Sequence, residues 1–139
     1  MAVFYPNAGA LENASNLQTA LAGGKLHLYK DGFTPTVTTT KAELDAEECD
    51  FTGYTAGGMT VAAWLNPYLD PAGGAAIESG TQQFEWASGS PDVGNLVGGW
   101  YYTTAAGILI VGTFPVAVPM EGPGQAIPLN IKLIEGTGQ

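Results

Sequence analysis

The chain has 139 residues, of which 45% are hydrophobic and only 12% charged, one domain's worth with enough apolar side chains to bury a core. Its four cations are all lysines and face thirteen acidic residues, for a formal net charge of −9. An arginine-free chain of this sign repels polyphosphate, which excludes nucleic acid as a direct partner, and the 20 glycines and 9 prolines point to a turn-rich β protein.

The first predicted element is a helix. Asn7 reads as its N-cap, Leu11, Ala14, Leu17 and Leu21 recur at helical spacing, and Gly23-Gly24 end it. Residues 1–24 are therefore expected to form an N-terminal helical arm that packs on the domain or reaches a neighbour. From Lys25 the period changes to two, with Leu26 and Leu28 on one face and His27 on the other, and Asp31-Gly32 follow as a turn. Thr34 to Thr40 is extended, and Pro35 places it at an edge or outside a sheet. Thr40 and Glu43 make a capping-box pattern for a short helix from Lys41 to about Glu48, and Phe51-Thr52-Gly53-Tyr54 closes the unit with a turn.

The second half reads as strands. They are expected at Met59 to Leu65, carrying Trp64, at Gln82 to Trp86, at Leu96 to Thr104, at Ile108 to Val118 and at Ala126 to Ile134. A proline-bearing loop runs through Asn66-Pro67 and Asp70-Pro71, and Ala105-Ala106-Gly107 joins a hairpin. The last strand puts Ile127, Leu129, Ile131 and Leu133 on one face. The predicted class is all-β in the main: a single antiparallel β-sandwich or jelly-roll-like domain over 25–139, with the N-terminal helical arm and one short helix. No internal repeat and no second core is evident.

Few residues invite chemistry. Cys49 is the single cysteine, so no disulfide forms within the chain, and its acidic neighbours Glu47, Glu48 and Asp50 raise a thiol's pKa. His27 is the one histidine and is expected at the solvated face of its strand. No Gly-x-Ser-x-Gly elbow and no phosphate loop is present. Glu43, Asp45, Glu47, Glu48 and Asp50 form the densest charge in the chain, either a solvated helix face or a calcium site; their spacing does not match an EF-hand, so no metal and no cofactor is expected. Met1 to Pro6 lacks the basic start and long apolar run of a signal peptide, and Gly107 to Gly112 is too short to span a bilayer, so no membrane association is expected. Trp64, Trp86, Trp100, Tyr101 and Tyr102 lie in or beside strands, where they fill a core, tile an interface or stack on sugar rings; strand neighbours alternate, so at least one of 100–102 faces outward or covers a second layer.

One segment has a familiar pattern. Lys25-Leu26-His27-Leu28-Tyr29-Lys30-Asp31-Gly32-Phe33-Thr34-Pro35, then an acidic helix and Phe51-Thr52-Gly53-Tyr54, then Val97-Gly98-Gly99-Trp100-Tyr101-Tyr102-Thr103 and Phe114-Pro115-Val116-Ala117-Val118 lie in that order. This is similar to small structural proteins of tailed bacteriophages, over roughly Lys25 to Ile134. The resemblance implies a non-enzymatic virion component, made in the host cytoplasm, with a compact β-sandwich or jelly-roll body. The leading expectation is a head decoration or cement protein that binds the outer capsid surface, bridges and stabilises major capsid protein subunits, and self-associates as a dimer or trimer. Candidate contacts are Phe4, Tyr5, Leu11, Leu17, Pro67, Tyr68, Trp100, Tyr102, Pro119 and Met120. The alternative is a tail, fibre or baseplate component that recognises a host glycan through outward tryptophans, and an enzyme such as a cell-wall hydrolase is a third reading.

Overall fold

A computed structural model describes residues 7–87 and 93–135. The fold is mainly β, with antiparallel sheets, an N-terminal helix and one further short helix, as the sequence predicts. In chain order the elements are α1 (Asn7–Leu21), β1 (Gly24–Lys30), α2 (Lys41–Asp45), β2 (Met59–Val61), β3 (Tyr68–Leu69), β4 (Ala75–Glu78), β5 (Gln82–Glu85), β6 (Asn95–Thr103), β7 (Leu109–Met120), β8 (Ala126–Leu129) and β9 (Lys132–Glu135). The chain divides into two compact units, one from Met1–Gly23, Val61–Gln82 and Leu129–Gln139, the other from Gly24–Thr60 and Gln83–Pro128.

In the first unit, α1 packs on β4, β9 and β3. Of the two expectations for this helix, packing or reaching outward, it packs, with Ala10, Ala14 and Leu21 buried and Leu11 and Leu17 half-buried. Gly23, at φ 77°, ends it in the left-handed region that glycine enters without a Cβ clash. The sheet order is β3-β4-β9, with Tyr68 opposite Ala76 and Ala76 opposite Ile134. The loop expected after Asn66 holds β3 and β4: Ala75, Ala76 and Ile77 are fully buried, and their pairing with β9 makes a strand where local sequence reads as a turn. The strand expected from Met59 to Leu65 stops at Val61, and buried Trp64 lies beyond it. The long strand expected from Ala126 to Ile134 is two strands, broken at Asn130-Ile131 as the chain passes from pairing with β5 to pairing with β4.

The second unit is built on a four-stranded sheet of order β2-β1-β6-β7, plus the β5-β8 pair. β6 and β7 form the expected hairpin, with Gly107 at φ 98° in the turn. Their register slips between Val97 and Gly99, where Phe114 to Ala117 bulge out opposite Gly98. Both neighbouring aromatics Tyr101 and Tyr102 are fully buried while Trp100 is half-buried and lies over Gly112, so both faces of β6 are covered. α2 has the full capping box: the Thr40 side chain accepts from Glu43 N and the Glu43 side chain accepts from Thr40 N. It ends at Asp45, three residues short of the expected Glu48, because Glu48 turns back into a bridge with Tyr29 of β1.

Candidate functional site

The polar centre of the second unit is assembled on β1 and β6. His27 and Tyr101 are directly opposite in the antiparallel register, and their rings stack with centroids 4.2 Å apart and planes 4° from parallel. His27 Nδ1 lies 2.7 Å from Glu48 Oε2, and Nε2 lies 2.9 Å from Thr103 Oγ1. A carboxylate only accepts, so Nδ1 donates to Glu48. Tyr54 OH also donates to Glu48 Oε2 at 2.6 Å, and accepts from the Leu28 N–H at 3.0 Å. Tyr101 OH donates to Asp45 Oδ1 at 2.8 Å, while Asp45 Oδ2 accepts from Lys41 Nζ at 2.6 Å.

The expectation of a solvated His27 is overturned: it is 3% exposed. β1 is flanked by β2 and β6, and the face that alternation left polar is covered by the segment from Leu44 to Tyr54. Gly58 closes the lid, since a Cβ there would strike the imidazole. Burial, then the hydrogen bond to Glu48, pushes the Tyr54 hydroxyl far above its ordinary value, and burial followed by the bond to Asp45 does the same for Tyr101. Burial pushes the Cys49 thiol up to about 12. Burial raises Asp45, but the hydrogen bonds from Lys41 and Tyr101 outweigh it and hold its carboxyl below the usual range.

The five acidic residues do not converge. Glu43 caps α2, Asp50 pairs with Asn95 and lies 3.6 Å from Lys30, and the backbone carbonyl of Glu47 accepts from Lys30 N. Only Asp45 and Glu48 approach one another, with His27, all three ligand atoms lying within 4.8 Å. That is too few oxygens for calcium, and the Lys41 ammonium already neutralises one of the carboxylates. His27, Glu48 and Thr103 form a carboxylate–imidazole–hydroxyl chain, yet Thr103 is 5% exposed, and neither of the two main clefts among the described residues is lined by any of the three. As placed, the chain ties β1, β6 and the Leu44 to Tyr54 segment together.

The expected contact residues divide. Tyr102 and Met120 are fully buried and cannot meet a partner across the surface, which corrects their nomination. Strand alternation and loop proximity point both outward, but the structure covers them, at 0% exposure each. Pro67, Trp100, Leu11 and Leu17 are half-buried; Tyr68 and Pro119 are exposed. Phe4 and Tyr5 lie outside the described residues. Six exposed large apolar residues lie outside the expected set: Val37, Leu65, Leu69, Leu96, Val116 and Ile134. For Ile134 the signal was present, because alternation from Leu133 points it the other way.

Two clefts mark the surface of the second unit. One, of about 330 Å³, brings Tyr29, Phe33 and Pro35 against Gly98, Phe114 and Pro115, so three segments distant in sequence meet there. The other, of about 320 Å³, lies between the Gly53 turn and β5. No family model, no curated protein and no solved structure matches the chain.

Proposed function

We propose that the chain is a non-enzymatic structural protein of a tailed-phage virion, a decoration or cement protein that binds the outer head surface and bridges major capsid protein subunits. The observation that carries this reading is a row on the β3-β4-β9 sheet. Tyr68, Ala76 and Ile134 are consecutive across one face, with Tyr68 37% and Ile134 42% exposed. Polar side chains surround the row and satisfy each other: Glu78 accepts from Tyr68 OH and Asn130 Nδ2, and Lys132 Nζ donates to Asp70 Oδ1 at 2.6 Å. An apolar centre within a self-satisfied polar rim is the anatomy of a protein interface, since its rim groups need no partner to be content in water or under cover.

Self-association has a second support. β7 is an edge strand of twelve residues without one charged side chain, in a chain carrying 17 charged residues. Pro115, Pro119 and the bulge from Phe114 to Ala117 interrupt it as a template for a further strand, but in a −9 chain this uncharged edge is where two copies approach with least repulsion. The test is to replace Tyr68 and Ile134 by serine, check folding by circular dichroism, and measure binding to heads that lack the protein. The proposal expects a folded variant that no longer sediments with heads; undiminished binding would remove the row as the contact surface. Tail or fibre placement with glycan recognition is the second reading, and the cleft beside Trp86 favours it.

A further inference from the structure

The cleft between the Gly53 turn and β5 is a built feature. Gly53, at φ 101°, lets the turn press against β5, where a Cβ would meet Glu85 O and Ala87 N at 2.6 Å. Thr52 O accepts from Ala87 N at 3.1 Å and locks the approach. Below lies an aromatic floor, with buried Phe84 stacked on Tyr54 at 5.8 Å and 10°, and Tyr54 edge-on to Phe51 at 5.3 Å. Half-buried Trp86 and Met59 line the cleft with exposed Thr55, Gln83 and Glu85. Gln83 Nε2 donates to Glu85 Oε1 at 2.6 Å, which aligns a planar amide with a planar carboxylate and leaves the amide oxygen, the second amide N–H and a carboxylate oxygen for a ligand.

The chemistry selects the occupant. No cation lines the cleft and the whole chain is at −9, so phosphates, sulfates and acidic sugars are repelled. A volume of about 320 Å³ is at the small end for ligand sites and takes one ring unit. A cleft lined by an indole, an amide and a carboxylate suits a molecule with an apolar C–H face and vicinal hydroxyls that both donate and accept. We propose that this cleft binds a single neutral pyranose unit of a glycan, with Trp86 as the apolar platform and Gln83 and Glu85 sharing adjacent hydroxyls. The proposal names a ligand class for this cleft and holds wherever on a virion the chain resides, so head binding and sugar binding succeed or fail separately.

The experiment is saturation-transfer NMR and tryptophan fluorescence on the full chain with the methyl glycosides of glucose, galactose, mannose, N-acetylglucosamine and N-acetylgalactosamine. Choline and inorganic phosphate serve as cationic and anionic probes. At least one neutral glycoside is expected to bind with a Kd on the order of millimolar. Trp86→Ala should weaken it at least about tenfold, and Tyr68→Ala, in the other unit, should leave it unchanged. The exposed Gln83→Ala and Glu85→Ala changes give the same loss in variants whose fold is checked by circular dichroism, should Trp86→Ala not fold. Binding of choline or phosphate alone, no neutral glycoside bound at roughly 50 mM, or binding indifferent to all three cleft variants would each overturn the proposal.

Discussion

Raising the pH should unfold the second unit cooperatively near pH 11, and the structure gives the size of the effect. Cys49 is 3% exposed and its thiol is pushed up to about 12 from an ordinary 9.0, while Tyr54 and Tyr101 hold their protons well above an ordinary 10.0. In the unfolded chain all three ionise at the ordinary values. Above those values the folded state binds more protons than the unfolded one, so stability falls as pH rises, by a factor of about ten per pH unit for each group. At about pH 11 the thiol is roughly two units past its ordinary value and each tyrosine about one, together a ten-thousandfold shift or roughly 5 kcal/mol. That equals the whole stability of a marginal domain, about 5–15 kcal/mol at the low end. The assay is one titration followed by tyrosinate absorbance and far-ultraviolet circular dichroism together. A step in tyrosinate absorbance should coincide with loss of the β signal, and Cys49→Ala should make the pH dependence shallower by one proton. If every tyrosine titrates smoothly near its ordinary value with the β signal intact, the burial of these hydroxyls is wrong.

Three further outcomes concern stability in urea. Glu48→Ala leaves His27 Nδ1 and Tyr54 OH without their acceptor and should cost about 3 kcal/mol, of which Glu48→Gln recovers part because its amide oxygen still accepts; a loss under about 1 kcal/mol would contradict the network. Gly99→Ala drives a Cβ into the Gly112 carbonyl and the Tyr29 ring, so it should destabilise by about 3 kcal/mol or prevent folding, whereas Gly122→Ala, with nothing near its Cβ, should stay within about 0.5 kcal/mol. Thr40→Ala removes the cap of α2 and should lower stability by about 1 kcal/mol, read from the urea midpoint at unchanged slope.

What was legible in the sequence was local. The 3.6-residue period with Gly23, the Thr40–Glu43 capping box and the Gly107 hairpin each depend on neighbours within a few residues, and each lies where the sequence places it. What escaped depends on distant partners. β4 is half alanine after two glycines, and its pairing with β3 and β9 makes it a strand. His27 follows a clean alternation, yet a segment some twenty residues on covers the face that looked wet and hands it Glu48. The five carboxylates look like one cluster in sequence, but a turn of helix and a bridge to β1 send them to separate partners. Trp86 was visible as an aromatic beside a strand. Gln83 and Glu85 are its neighbours in sequence, but the opposite wall of the cleft comes from the Gly53 turn some thirty residues earlier, which no spacing reveals.

The central claim, that this is a head-binding virion protein, is tested most directly by adding purified chain to heads that lack it, pelleting them and counting bound copies per shell. Saturable binding in a fixed ratio to the coat subunits is expected, with shells that survive higher temperature once coated, because a ligand of the assembled state stabilises that state by mass action. Binding to tails with none on heads, or a handful of copies without added heat resistance, would contradict it.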